Sequence, residues 1–229
     1  MNKLQSYFTK EEIILWMTSV FMIVVSFVMF DKVNYHTLFA SLLGVTSLIY
    51  NAKGNPIGQI LMVIFSIIYG IISYSFAYYG EMLTYVCMTL PMSIIALISW
   101  LKHPYKGNKA EVRVDKLNQK DVIIMWIYTV IVSVVFYFVL KYFNNANLLI
   151  STLSISTTFL AVYLTYKRSP YYAIAYASND IVLIVLWILA CMSDIKYISV
   201  VVCFVAFLIN DIYGYISWKK MEKRQKSYD

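Results

Sequence analysis

Apolar runs alternate with short polar breaks along almost the whole chain. Eight runs can be marked, over residues 13–30, 35–50, 56–79, 82–101, 122–140, 148–166, 171–191 and 197–218. A helix rises about 1.5 Å per residue and a bilayer core is ~30 Å thick, so each run has roughly the length a crossing helix needs, the second being the shortest. The pattern predicts an all-α integral membrane protein of one domain over residues 1–229, with eight transmembrane helices. The breaks are short except for the 102–120 loop, whose alternating charges predict a solvated connection.

Eight crossings would place the N-terminus, the even-numbered connections and the C-terminus on one side. That side would carry Lys3, Lys10, Lys53, the six basic residues from Lys102 to Lys120, Lys167, Arg168 and the five from Lys219 to Lys226. The other side would carry only Lys32, Lys141 and Lys196. Cytoplasmic flanks are rich in Lys and Arg, so the imbalance predicts cytoplasmic termini and a basic cytoplasmic tail over residues 219–229. The first run is too long for a signal peptide and lacks a small-residue cleavage site.

Composition narrows the functional classes. Of 229 residues, 61% are hydrophobic and 14% charged, far below the quarter or so found charged in soluble domains. The net charge of +7 lies between apolar segments, so it orients the chain in a lipid bilayer and offers no face to nucleic acid. Cys87, Cys191 and Cys203 sit inside apolar runs, which predicts ordinary buried thiols and no disulfide framework. The two histidines, His36 and His103, lie at or near run ends, and there is no Gly-rich phosphate loop. Neither an enzyme, nor a metal site, nor a cofactor is expected.

The chain also repeats itself. Pro56 corresponds to Pro170 at an offset of 114 residues, and the segment from Ile98 to Lys102 (ISWLK) to that from Ile216 to Lys220 (ISWKK) at an offset of 118. A three-helix unit ends on the side opposite to its start, so a second copy in the same orientation needs one extra crossing between them. The expected core is therefore 3+1+3. The first repeat covers residues 35–101, a linker helix 122–140 and the second repeat 148–218, with residues 13–30 an extra helix outside it. Parallel repeats of this kind place a substrate site near the midplane between the halves.

The run over residues 171–191 carries Asn179 and Asp180 near its middle. An ionisable side chain at bilayer depth costs at least ~2.5 kcal/mol, so it is expected to face a protein interior or a wet cavity. Helical spacing puts Tyr172, Tyr176, Asp180, Leu183 and Trp187 on one stripe, an aromatic surface around a carboxylate suited to a flat polar or cationic ring. Gln59, Ser66, Tyr69, Gly70 and Ser73 share a face of the third helix, and Asn210, Tyr213, Gly214 and Ser217 one of the eighth. Ser and Gly there suggest close packing, whereas the amides of Gln59 and Asn210 could either pack or bind. Asp211 lies nearer the cytoplasmic end, within expected reach of Lys219 or Lys220. Trp100 and Trp218 fit an interfacial aromatic belt. Pro91 inside the fourth run suggests a bend or hinge.

Together, the 3+1+3 core, the connection from Asn51 to Pro56, KRSPYYAIAYASND and the final NDIYGYISW resemble the PnuC family of bacterial vitamin transporters. The resemblance implies a fold similar to SWEET transporters and uptake of nicotinamide riboside by facilitated diffusion across the bacterial cytoplasmic membrane. It also implies trapping by a cytoplasmic kinase and a homotrimer. In that family an aromatic residue four before a polar one on the seventh helix contacts the ligand. Here that pair is Tyr176 and Asp180, with Asn179 beside it, while Gln59 and Asn210 would bind ribose or carboxamide. Tyr69, Tyr172 and Tyr213 complete the expected substrate-binding set. Many members carry Trp where Tyr176 stands, and relatives of the family carry thiamine, deoxynucleosides or riboflavin. A proton-coupled carrier using Asp180 is the competing mechanism.

Overall fold

A computed structural model describes residues 7–75, 79–145 and 147–228; Lys3, counted above among the basic residues of one side, lies outside them. The fold is built from helices: α1 (Lys10–Ser26), α2 (Tyr35–Ala52), α3 (Ile57–Ser75), α4 (Tyr79–Thr84), α5 (Leu90–Lys102), α6 (Gln119–Tyr142), α7 (Leu148–Tyr166), α8 (Tyr172–Cys191) and α9 (Ile198–Tyr228). Seven helical segments among the described residues are long and apolar enough to cross a membrane. The second run also folds as a helix, α2, but His36, Asn51 and the hydroxyls of Thr37, Ser41, Thr46 and Ser47 dilute its apolar character. Three of those hydroxyls are satisfied within the protein. Ser41 and Thr46 donate to carbonyls four residues back, and Ser47 donates to the Gly58 carbonyl on α3 at 2.8 Å.

Local signals set the helix boundaries. Thr9 and Glu12 form a capping box at the start of α1, and Asn118 and Asp121 another at the start of α6, each satisfying backbone donors that the first turn leaves free. Between α4 and α5 the chain widens into a π-helical turn, Tyr85–Thr89, and Pro91 falls at the first positions of α5. A proline ring removes one backbone donor and clashes with the carbonyl four residues back, so the widened turn sits where a regular α-helix would be strained.

The repeated sequence reappears as repeated geometry. The turn after α2 has Gly54 at φ 65° and the turn after α7 has Arg168 at φ 54°. In each, an amide donates back across the turn, Asn55 to Tyr50 and Ser169 to Leu164. The last helix of each sequence repeat then reaches the other repeat. Ser99 donates to the Tyr166 carbonyl and Trp100 Nε1 to the Thr165 carbonyl, while Ser217 donates to the Ala52 carbonyl and Trp218 Nε1 to the Asn51 carbonyl, all at 2.7–2.9 Å. The donor positions are 118 residues apart and the acceptors 114, the two sequence offsets.

Trp100 and Trp218 are consequently not an interfacial belt. They are 1% and 0% exposed and pack against each other with ring centroids 5.4 Å apart, because each indole N–H finds its partner in a helix-terminal carbonyl inside the protein.

The 102–120 loop is more structured than its charges suggest. Pro104–Tyr105 and Asn108–Val112 pair as an antiparallel hairpin, and Lys106 and Gly107 both take positive φ, as a two-residue turn of this hand requires. Val112 is fully buried. Its N–H donates to the Gly54 carbonyl at 2.9 Å, and the Asp115 N–H donates to the Arg168 carbonyl at 3.1 Å, so the segment straps both equivalent turns. Residues beyond 218 continue α9, where Gln225 is buried against the hairpin and bonds Val112, Val114 and Glu111. Of the three cysteines only Cys203 is buried; Cys87 is exposed on the π-helical turn and Cys191 is intermediate.

Helix α1 packs on α2 and α9 through a buried acidic residue. Glu12 is 3% exposed, accepts from Lys53 Nζ at 3.0 Å and from the Tyr213 hydroxyl at 3.3 Å. Breaking a buried ion pair by removing one partner typically costs about 3–5 kcal/mol, because the other charge is left uncompensated. Lys53→Met should therefore lower the thermal unfolding midpoint strongly, and Lys53→Met with Glu12→Gln should recover most of the loss. Equal losses in the single and double variants would show that the pair is not the cause.

Candidate functional site

A cavity of about 370 Å³ lies between α2, α3, the π-helical turn, α7, α8 and α9. That is the lower range of small-molecule sites. It extends from the middle of α8 to the turn where α8 gives way to Ser193 and α7 begins at Asn147. Tyr172, Trp218 and Trp100, whose rings pack together, are not among its lining residues.

Helix α8 contributes the predicted stripe. Tyr176, Asp180, Leu183 and Trp187 line the cavity, as the 3.6-residue period requires, while Tyr172, one turn earlier, is 2% exposed and packs edge-on to Trp218 at 4.9 Å. Asn179 also lines the cavity. Its Oδ1 accepts from Ser154, Thr157 and Thr158 at 3.2, 2.8 and 3.1 Å, which locks α8 to the hydroxyl face of α7. Tyr69 enters from α3 and packs on Tyr85 of the π-helical turn at 4.5 Å between centroids. A Cβ at Gly44 would lie 2.5 Å from Phe207 Cζ, so the glycine allows that ring to close one wall.

Asp180 is 4% exposed, and one of its oxygens, Oδ2, has no hydrogen-bond partner in the protein. A second carboxyl group, Asp211 of α9, is equally buried, lies near it and also lines the cavity. The expected reach of Lys219 to Asp211 is not realised: Lys219 pairs with Glu222 at 2.6 Å and lies over the Tyr171 ring. The α9 periodicity explains this, since Asp211 turns inward towards α8 while basic residues two turns on reach the polar end of the helix. Among the described residues, no Lys, Arg or His lines the cavity. Nor is any group of three or more His, Cys, Asp or Glu placed to hold a metal ion.

The other expected contacts lie elsewhere. Gln59 donates to Asn51 Oδ1 at 2.8 Å beside the α2–α3 turn. Asn210 donates to Ser19 of α1 at 2.8 Å and to the Ala206 carbonyl, and Tyr213 to Glu12. Asn210 precedes the inward Asp211 by one residue, about 100° around the helix, and so faces α1. Of the eight expected residues, Tyr69, Tyr176, Asn179 and Asp180 are brought together on the cavity wall, and Gln59, Tyr172, Asn210 and Tyr213 are not. Asp211, Tyr85 and Thr89 are among the cavity residues that sequence reasoning missed. The signal for Asp211 was the same as for Asp180, a carboxylate in an apolar run, read there as belonging to the helix end.

Residues 34–220 match the family described as nicotinamide mononucleotide transporters. The chain belongs to that family. This transporter family is one of membrane carriers, not enzymes, and the chain is accordingly a multi-pass membrane protein that carries a small molecule. A curated relative, the nicotinamide riboside transporter PnuC of Neisseria mucosa, is 26% identical over 190 residues, 81% of this chain and 72% of that protein. The crystal structure of the vitamin B3 transporter PnuC superposes with a TM-score of 0.82 at 22% identity, covering 97% of this chain and 96% of that one; the transporter fold is shared throughout.

Proposed function

We propose that the chain takes up nicotinamide riboside across a bacterial cytoplasmic membrane by facilitated diffusion. The observation that carries this reading is a mid-helix cavity in which an aromatic face, Tyr176, stands one turn from a buried carboxyl group, Asp180. Nicotinamide riboside joins a flat, cationic pyridinium to a polar ribose. An aromatic face and a desolvated carboxylate both attract such a cation. In this reading Tyr176 stacks on the ring, Asp180 lies beside its charge, and Asn179 and Tyr69 replace water on the ribose or carboxamide. Gln59, Tyr172, Asn210 and Tyr213 hold the surrounding helices.

The lining also favours the riboside over the mononucleotide. A phosphate carries negative charge and would meet two carboxyl groups with, among the described residues, no Lys or Arg in the lining to bind it. The same discrimination fits trapping, in which a cytoplasmic kinase adds a phosphate that the cavity rejects.

The transport cycle we infer uses eight spans arranged 3+1+3, with α1 outside the two repeats and both termini cytoplasmic. The reciprocal bonds of Ser99, Trp100, Ser217 and Trp218 at the two sequence offsets support that symmetry. With the Gly54 and Arg168 turns cytoplasmic, the cavity extends towards the outside, and rocking of one half against the other would expose it to the cytoplasm. Assembly as a homotrimer, implied by the family resemblance, belongs to the same reading.

Thermal stabilisation of the purified protein tests the substrate. A ligand that binds only the native state stabilises it by about 2.7 kcal/mol at a hundred times its Kd. Nicotinamide riboside should shift the melt, and nicotinamide mononucleotide, thiamine, riboflavin and deoxynucleosides should not. A shift with one of those and none with the riboside would overturn the substrate assignment.

A further inference from the structure

We propose, on the reading of the cavity as the ligand site, that the ligand ring lies between two aromatic walls supplied by the two repeats, and that Tyr85, turned inward by the π-helical turn, is a specificity-determining residue facing the ring from the side away from Tyr176. One wall is the Tyr176 stripe of α8. The other is a cluster of Phe65 and Tyr69 from α3 with Tyr85 from the turn.

The three rings of the second wall hold one another in place. Between centroids, Tyr85 lies 4.5 Å from Tyr69 and 5.8 Å from Phe65, Phe65 lies 5.4 Å from Tyr69, and all three line the cavity. These separations fall in the range in which aromatic pairs attract one another, so the cluster is preorganised. Helix α8 packs on α7 and α9, whereas the π-helical turn packs on α3, α5 and α7, so the two walls stand on different sides of the cavity. The offset of 114 residues makes α3 the counterpart of α8, and each repeat thus gives its equivalent helix to one wall.

The turn decides which side chain completes the second wall. The Leu90 N–H donates to the Tyr85 carbonyl five residues back, where an α-helix would reach back four, so the turn holds one extra residue. By the offset of 118, Thr89 corresponds to Phe207 and Val86 to Phe204, and both phenylalanines line the cavity from α9. The extra residue displaces every earlier position by one. Tyr85 therefore takes the place equivalent to Phe204, and Val86 turns outward, 43% exposed. In a regular helix the aliphatic Val86 would stand in the wall. An aliphatic group fills space equally well for any ring, whereas an aromatic face adds an attraction for a cation that a neutral ring of the same shape does not receive. The widened turn thus makes the second wall select for charge as well as for flatness.

Calorimetric titration of the intact protein in detergent tests this with two probes, nicotinamide riboside and its reduced form, whose dihydropyridine ring is nearly the same shape but uncharged. Tyr85→Leu should weaken the cationic riboside on the order of tenfold and the neutral one by less than threefold, and Tyr85→Phe should bind both as the wild type does. Wild-type affinity for the cation in a folded Tyr85→Leu protein overturns the proposal. Equal losses for the two probes also overturn it, since they would make Tyr85 a packing residue alone. Should Tyr85→Leu fail to fold, phenylalanines of increasing fluorination at position 85 keep the ring while draining its negative face; the cation should then bind more weakly at each step, and a flat series overturns the proposal. If the riboside neither binds nor stabilises the wild type, the substrate assignment falls by itself, and the fluorinated series is read with thiamine, also a ring-bearing cation, where a flat series again overturns the role of Tyr85.

Discussion

Asp180→Ala is expected to abolish ligand binding while leaving the protein folded. Truncating one member of a buried charged contact costs about 2–5 kcal/mol, roughly thirty-fold to several-thousand-fold in Kd, which puts binding beyond ordinary substrate concentrations. Stability should move little. The wild-type carboxyl group is already desolvated, its Oδ2 has no partner in the protein, and its removal relieves Asp211 of a like neighbour. A small rise in the melting midpoint with complete loss of uptake is thus the expected combination. Uptake at the wild-type rate by this variant would remove Asp180 from the site. Loss of uptake together with a collapsed midpoint would instead make the residue part of the scaffold.

Gly58→Ala should have the opposite signature, a large loss of stability. A Cβ at that position would lie 2.2 Å from Asn51 Oδ1 and 2.7 Å from the Asn51 backbone nitrogen, so the obstacle is main chain and cannot swing aside. Overpacking alone costs about 1–3 kcal/mol, and parting α2 from α3 would also strain the bonds from Ser47 to the Gly58 carbonyl, from Gln59 to Asn51 and from Trp218 to the Asn51 carbonyl. The variant should fail to accumulate or should melt well below the wild type. Gly107→Ala is the matched comparison: that glycine has φ 79° but nothing within 4 Å of the added carbon, so only backbone strain of about 1–2 kcal/mol is expected. Equal melting midpoints for the two variants would show that the Asn51 contact is not tight.

Much of the site was legible because a helix has a fixed period. Once residues 171–191 were read as one helix with a carboxylate in its middle, the stripe of Tyr176, Asp180, Leu183 and Trp187 followed from geometry, and all four face the cavity. Asn179 was named for its neighbour and proved to be the acceptor for three hydroxyls of α7, a role that no feature of its own helix announces. Gln59 and Asn210 are polar groups in apolar runs like Asp180, and the same reasoning that found one could not separate it from the others. Which of them faces a cavity depends on the neighbouring helix, since an amide opposite Ser19 and a carboxyl opposite a carboxyl look alike in one dimension.

The sequence by itself determined the membrane class, the helices, the two repeat offsets and the inward stripe of α8, because length, hydropathy and period are properties of single segments. Only the tertiary structure decided that Asp211 faces Asp180, that Trp100 and Trp218 are buried against the opposite repeat, and that the charged loop holds a buried Val112. Each is a pairing between residues far apart in the chain, fixed by how helices rotate and pack, and no property of either partner alone encodes it.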